Sequence, residues 1–91
     1  MNDKKIIIES LAMDLKRVAV GLHRGSTAMA HRFKQEALQR QQELEELELN
    51  DYLKKIVADS KKAIQSKQPE AYEDVLMYST LFQNFARKNL V

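Results

Sequence analysis

Two glycines and one proline in 91 residues leave this chain very few places to turn sharply. Hairpins and tight turns lean on the positive φ of glycine or the fixed φ of proline, so a sheet protein of this length would need many more of both. Long helices need few turns. The scarcity therefore predicts an all-α chain without β-sheet, with on the order of four residues in five helical. Ninety-one residues suit one domain and are too few for two, so the domain is expected to span residues 1–91. With no cysteine, neither a disulfide nor a thiolate metal site can stabilise it. Apolar burial has to do so, and 44% hydrophobic with 31% charged residues is the balance of a packed domain rather than a disordered one.

Helical spacing runs through most of the chain. Ile8, Leu11, Leu15, Val18 and Leu22 recur at steps of three and four. Asp3 near the start and Arg24 near the end match the helix dipole. Over His23–Thr27, basic residues, a glycine and two hydroxyl residues read as one helix stopping and another starting, with Ser26 or Thr27 as N-cap. The rival reading is one long helix through this point, with Gly21, Gly25 and Ala28 as a strip for close helix contact. Beyond it lies a narrow stripe of Met29, Phe33, Ala37, Leu44 and Leu47, interrupted by Arg40. Asn50-Asp51 reads as the next helix start, with Asp51 placed to reach Lys54 and Lys55, and that helix buries Leu53, Ile56, Val57, Ser60 and Ile64. Pro69 suits a first helical position, followed by Glu70, Glu73 and Asp74 in the opening turns and Arg87 and Lys88 in the last. The expectation is a small antiparallel bundle of three to four helices, with a break or kink at Arg24–Thr27.

The last helix stands apart. Tyr72, Val75, Leu76, Met77, Tyr78, Leu81, Phe82, Phe85 and Ala86 leave it little polar face. A helix apolar nearly all round is covered on more than one side. A small bundle offers too few neighbours for that, so the stripe Val75, Tyr78, Phe82 and Phe85 is expected to anchor a homodimer, the rival being a central core helix. The neighbouring stripe is Tyr72, Leu76, Ser79 and Ala86.

The net charge of +2 is too small to imply nucleic acid by itself. Its distribution says more. No acid lies between Asp14 and Glu36, where Lys16, Arg17, Arg24, Arg32 and Lys34 stand with His23 and His31, whereas Glu43, Glu45, Glu46, Glu48 and Asp51 follow. Such runs are usually solvated helix faces. A nucleic-acid interface on the basic stretch 16–34 is the alternative, and it lacks a helix-turn-helix signature. The apolar run Ile6-Ile7-Ile8 ends at Glu9, too short for a signal peptide, and no stretch approaches the ~18 uncharged residues of a membrane span. A cytoplasmic protein that does not enter the membrane is expected.

Cofactor and metal chemistry find no motif. His23 and His31 on one straight helix would stand about 80° and about 12 Å apart, too far to share an ion. No Glu-x-x-His pair could build a di-iron site. Neither glycine belongs to a phosphate-binding loop, and no serine sits in a nucleophile elbow.

Arg24 and His31 have a sharper reading. Seven residues apart, they would project from nearly the same side of an unbroken helix. Arginine, six residues and histidine resembles the motif of the HEPN family of all-α ribonucleases. The resemblance covers these two residues and implies that Arg24 would hold a phosphate and His31 assist proton transfer; Gly25 stands where that family usually has a polar residue. A long first helix and shorter successors are similar to the AroQ-type chorismate mutases, which implies a dicarboxylate clamp to which Arg32, Arg40 and Gln83 could contribute. The simpler account of Arg32, Glu36 and Arg40 is a self-neutralising i, i+4 ladder. The reading these residues favour is a non-catalytic helical module for protein–protein interaction, an adaptor, regulator or immunity-like protein, homodimeric and without cofactor. A nucleic-acid binder and a small all-α enzyme are its alternatives.

Overall fold

The computed structural model describes residues 3–68 and 70–90, so the reading of Pro69 as a first helical position lies outside the described residues. Four helices follow in order: α1 (Asp3–Arg24), α2 (Thr27–Glu45), α3 (Asp51–Gln65) and α4 (Ala71–Asn89). They hold 86% of the described residues, and no strand occurs among them.

The first helix stops where the sequence places glycine before two hydroxyl residues. Gly25 takes φ 73°, the left-handed conformation that side chains resist. Its N–H donates to the carbonyl of Leu22 at 3.2 Å, and the N–H of Ser26 donates to that of Gly21 at 2.8 Å. Those two bonds make a Schellman cap. Ser26, extended at φ −86° and ψ 91°, then becomes the N-cap residue of α2. Arg24–Thr27 is therefore a break, and the single long helix is ruled out.

From this turn α2 folds back along α1. Gly21 faces Ala30, Asp14 faces Glu36, and Lys4 Nζ donates to the carbonyl of Glu48 at 2.8 Å. A Cβ on Gly21 would lie 2.8 Å from the backbone nitrogen of Ala30. Only glycine lets the helices approach so closely there. Gly21→Ala gains about 1 kcal/mol of helix propensity. It also forces a methyl against backbone that cannot swing aside, an overpacking that costs roughly 1–3 kcal/mol. A net loss of stability is expected in urea denaturation, and a more stable variant would show that α1 and α2 part freely.

The second turn is a cap of another kind. The side chain of Asn50 accepts from the N–H of Leu53 at 2.8 Å and starts α3. Leu53, Ile56, Val57, Ser60 and Ile64 are all buried, the stripe read from their spacing. Lys55 pairs with Asp59 at 3.0 Å rather than with Asp51.

The most enclosed helix is α1, not α4. It packs along both α2 and α4, while α3 makes smaller contacts with α2 and α4. Ile8, Leu11, Leu15 and Val18 meet Leu44, Leu53, Val57, Val75 and Phe82 in one core. Leu22, expected in the stripe, is 43% exposed, because the helix stops two residues later. In α2 the interruption at Arg40 is avoided by a shift of one position: Gln41 is fully buried beside Ala37 and Leu44. Leu47 lies beyond the helix end and is exposed, and Leu49 enters the core instead.

The aromatic stripe of α4 is corrected as well. Val75 and Phe82 are fully buried in this chain's own core and so do not anchor a contact with another copy, while Tyr78 and Phe85 are half-buried against the same cluster. Glu73, Asp74, Thr80, Gln83, Arg87 and Lys88 supply α4 with an ordinary exposed face. No described helix is long and apolar enough to cross a membrane.

Candidate functional site

The Schellman turn decides the fate of Arg24 and His31. The two residues now belong to different helices and open onto different clefts. Arg24 borders a cleft of about 340 Å³ between α1 and α4, with Val20, His23, Tyr72 and Leu76. His31 borders a cleft of about 310 Å³ at the helix break, with Lys34, Ile64 and Ser66. The heptad spacing that brought them together required an unbroken helix. Arg32, Arg40 and Gln83 do not converge either. Arg32 lies over the ring of Phe33 at 5.3 Å, Arg40 binds the carboxylate of Glu43 at 3.2 Å, and Gln83 borders a small cleft with Glu9 and Lys16.

The basic stretch is dispersed in the same way. Lys16 lies toward α4, Lys34 toward α3, and Arg17 and Arg32 both sit against Phe33, at 5.1 and 5.3 Å. Lys16 and Lys34 thus turn to different neighbours, while Arg17 and Arg32 come together over one ring.

Inside, the structure gathers polar groups that the spacing did not reveal. Asp14 is only 5% exposed. Burial raises its pKa to about 6, helped by the facing carboxylate of Glu36 and a hydrogen bond between the two carboxyls, and opposed by Arg40 and Arg17. The Arg32–Glu36–Arg40 ladder is thus replaced: Glu36 turns to Asp14, and Arg40 to Glu43. A carboxyl so enclosed can hold a proton for its neighbour but cannot meet a substrate. Deeper still, Gln41 Nε2 donates to Ser60 Oγ at 2.9 Å, and that hydroxyl donates to the carbonyl of Val57 at 2.9 Å. Ser79 Oγ donates to the carbonyl of Ala12 at 2.7 Å, which ties α4 to α1. These bonds pair the two buried hydroxyls and the Gln41 amide nitrogen and fix helix register, while Gln41 Oε1 stays buried without a hydrogen-bond partner. No group of three or more His, Cys, Asp or Glu among the described residues is placed to hold a metal.

What the surface does gather is apolar. Ile6 is 50% and Met13 47% exposed on α1, with half-buried Val20 in line with them. Leu76, 43% exposed, stands beside them on α4, next to Tyr72, whose ring meets that of His23 at 5.0 Å. Two clefts lie between these helices, one of about 340 Å³ near Val20 and Leu76, the other of about 100 Å³ near Met13 and Ser79. Together they make a shallow groove along the α1/α4 face.

No family model, curated protein or solved structure matches the chain.

The α1/α4 face was readable in part. Ile6, Met13 and Val20 stand seven residues apart, a second line beside the core stripe of α1. Leu76 belonged to the second stripe of α4. The buried line of α4 takes Val75 and Phe82 from one stripe and Ser79 and Ala86 from the other, because α4 turns the seam between the stripes inward, which no local spacing reveals.

Proposed function

We propose that this chain is a non-catalytic helical module for protein–protein interaction and that it assembles as a homodimer through the α1/α4 face. The observation that carries this reading is the grouping of Ile6, Met13, Val20 and Leu76 on one face of a bundle whose core is already filled. Grouped exposed apolar side chains rimmed by charge mark contact surfaces, whereas scattered ones need no explanation. Of the other exposed large side chains, Met77 follows Leu76 on α4, while Leu22 borders the cleft at the helix break, Leu47 lies in the α2–α3 connection, and Tyr52 stacks on Phe85. The adaptor, regulator and immunity-like roles all rest on such a surface.

Sedimentation equilibrium tests the reading. At micromolar concentration the mass should be twice the 10.6 kDa of the chain, and the melting temperature should rise with concentration, because assembly stabilises the folded form by mass action. A single chain at every concentration, with a melting temperature indifferent to dilution, would overturn it.

A further inference from the structure

We infer that the second copy docks end for end, about a two-fold axis that crosses α1 and α4 at the level of Met13 and Thr80, so that Glu73 of each copy meets the partner's Arg87. This rests on the homodimer reading and gives it an orientation.

Two series of positions carry the argument. On α1, Ile6, Met13 and Val20 are seven residues apart; on α4, so are Glu73, Thr80 and Arg87, all three exposed. Positions seven apart drift by only ~20° around a helix, so each series is one line along its helix. The first is apolar. The second has an acid at one end and a base at the other.

The two lines share a midpoint. Ser79 Oγ bonds the carbonyl of Ala12, and the rings of His23 and Tyr72 touch at 5.0 Å, so numbers fall along α4 as they rise along α1. This register sets Met13 level with Thr80, Ile6 with Arg87, and Val20 with Glu73. A two-fold dimer has a single axis, and here one axis serves both lines. A copy turned about it lays Ile6 on the partner's Val20, Met13 on the partner's Met13, and Glu73 on the partner's Arg87, each unlike contact occurring twice. The cleft beside Met13 agrees: Glu9, which lines it with Lys16, comes opposite the partner's Lys16. The acidic first turn of α4 also faces the basic last turn of the other copy, the arrangement that helix dipoles favour.

The other two-fold that brings the same faces together runs along the helices. It would set Ile6 against the partner's Arg87 and Val20 against the partner's Glu73. Charges desolvated against apolar groups without a partner are costly. Complementary charge therefore selects the crossing axis.

Charge reversal and cross-linking test it. Glu73→Arg places two like-charge contacts in each dimer, as does Arg87→Glu, and each should weaken self-association roughly tenfold in sedimentation experiments. The double variant Glu73→Arg/Arg87→Glu should recover most of the loss. These positions are exposed, so circular dichroism should show an unchanged fold. The chain has no cysteine, which makes single-cysteine variants clean probes. Met13→Cys lies on the axis and should give a disulfide-linked dimer under mild oxidation, because the bond needs Cα atoms within about 7 Å. Ile6→Cys should not link to itself, and a mixture of Ile6→Cys and Val20→Cys should. If the chain dimerises but charge reversal changes nothing, or Ile6→Cys links to itself as readily as Met13→Cys, the orientation is wrong while the homodimer stands. A monomeric wild-type protein would remove both.

Discussion

Phe82→Ala should lower the stability of this domain by roughly 3–5 kcal/mol, the usual cost of emptying a buried aromatic site. Phe82 is the largest fully buried side chain and sits in one cluster with Ile8, Leu11, Leu15, Val75 and Ala86. Truncation removes its burial and leaves a cavity that α1 and α4, tied by the Ser79–Ala12 bond at 2.7 Å, can close only in part. A small domain has on the order of 5–15 kcal/mol in all, so the variant should lie near the edge of folding. At about 4–8 °C per kcal/mol for a domain of this size, the melting temperature should fall by at least about 12 °C. Because Phe82 points into its own chain, the loss should persist at dilutions where any dimer has dissociated. Thermal melts at low and high concentration check this. A loss that appeared only at high concentration would move Phe82 from the core to the interface.

That distinction is the one the sequence could not make. The caps were legible because they are local: Gly25 before Ser26 stops one helix and starts the next, and Asn50 caps α3 through the N–H of Leu53. The stripe of α3 was legible too, since Asp51, Lys54, Lys55 and Lys62 mark the outer side of that helix. In α4 two apolar stripes lie side by side, and only the packing shows that the seam between them is inward, burying Val75 and Phe82 of one with Ser79 and Ala86 of the other. A helix packed along two neighbours needs two buried faces, and α1 meets that need with small residues, Ala12 and Ala19 at 4% and 3% exposure, which a search for large apolar residues passes over. Gln41 was hidden for a similar reason. Its amide is buried because Ser60, nineteen residues away, offers a hydroxyl, and no spacing within α2 records that. The site readings failed with the helix they assumed. Arg24 and His31 share a face only if Gly25 is helical, and at φ 73° it is not.

Asp14 was read as no more than the edge of the basic stretch, yet it yields the clearest pH dependence. Its carboxyl titrates near 6 in the folded chain, chiefly because of burial, against about 3.9 in an unfolded one. The folded state therefore binds this proton more tightly. Between about pH 4 and pH 6 it keeps a proton that the unfolded chain has released, so this group's contribution to stability falls as pH rises through that window. Two pKa units correspond to about 3 kcal/mol, all of it lost by neutral pH. Asp14→Asn keeps the shape, stays neutral at every pH and can donate from its amide to Glu36, while Arg40 retains Glu43 at 3.2 Å. The variant should exceed the wild-type protein in stability by up to about 3 kcal/mol at pH 7.5, and the difference should close toward pH 4. Carboxylates remote from Asp14 contribute equally to both proteins, so the difference between the two urea curves reports Asp14 together with the Glu36 that faces it. Equal midpoints at every pH, or a weaker variant at pH 7.5, would show that Arg17 and Arg40 hold the Asp14 charge more firmly than burial opposes it.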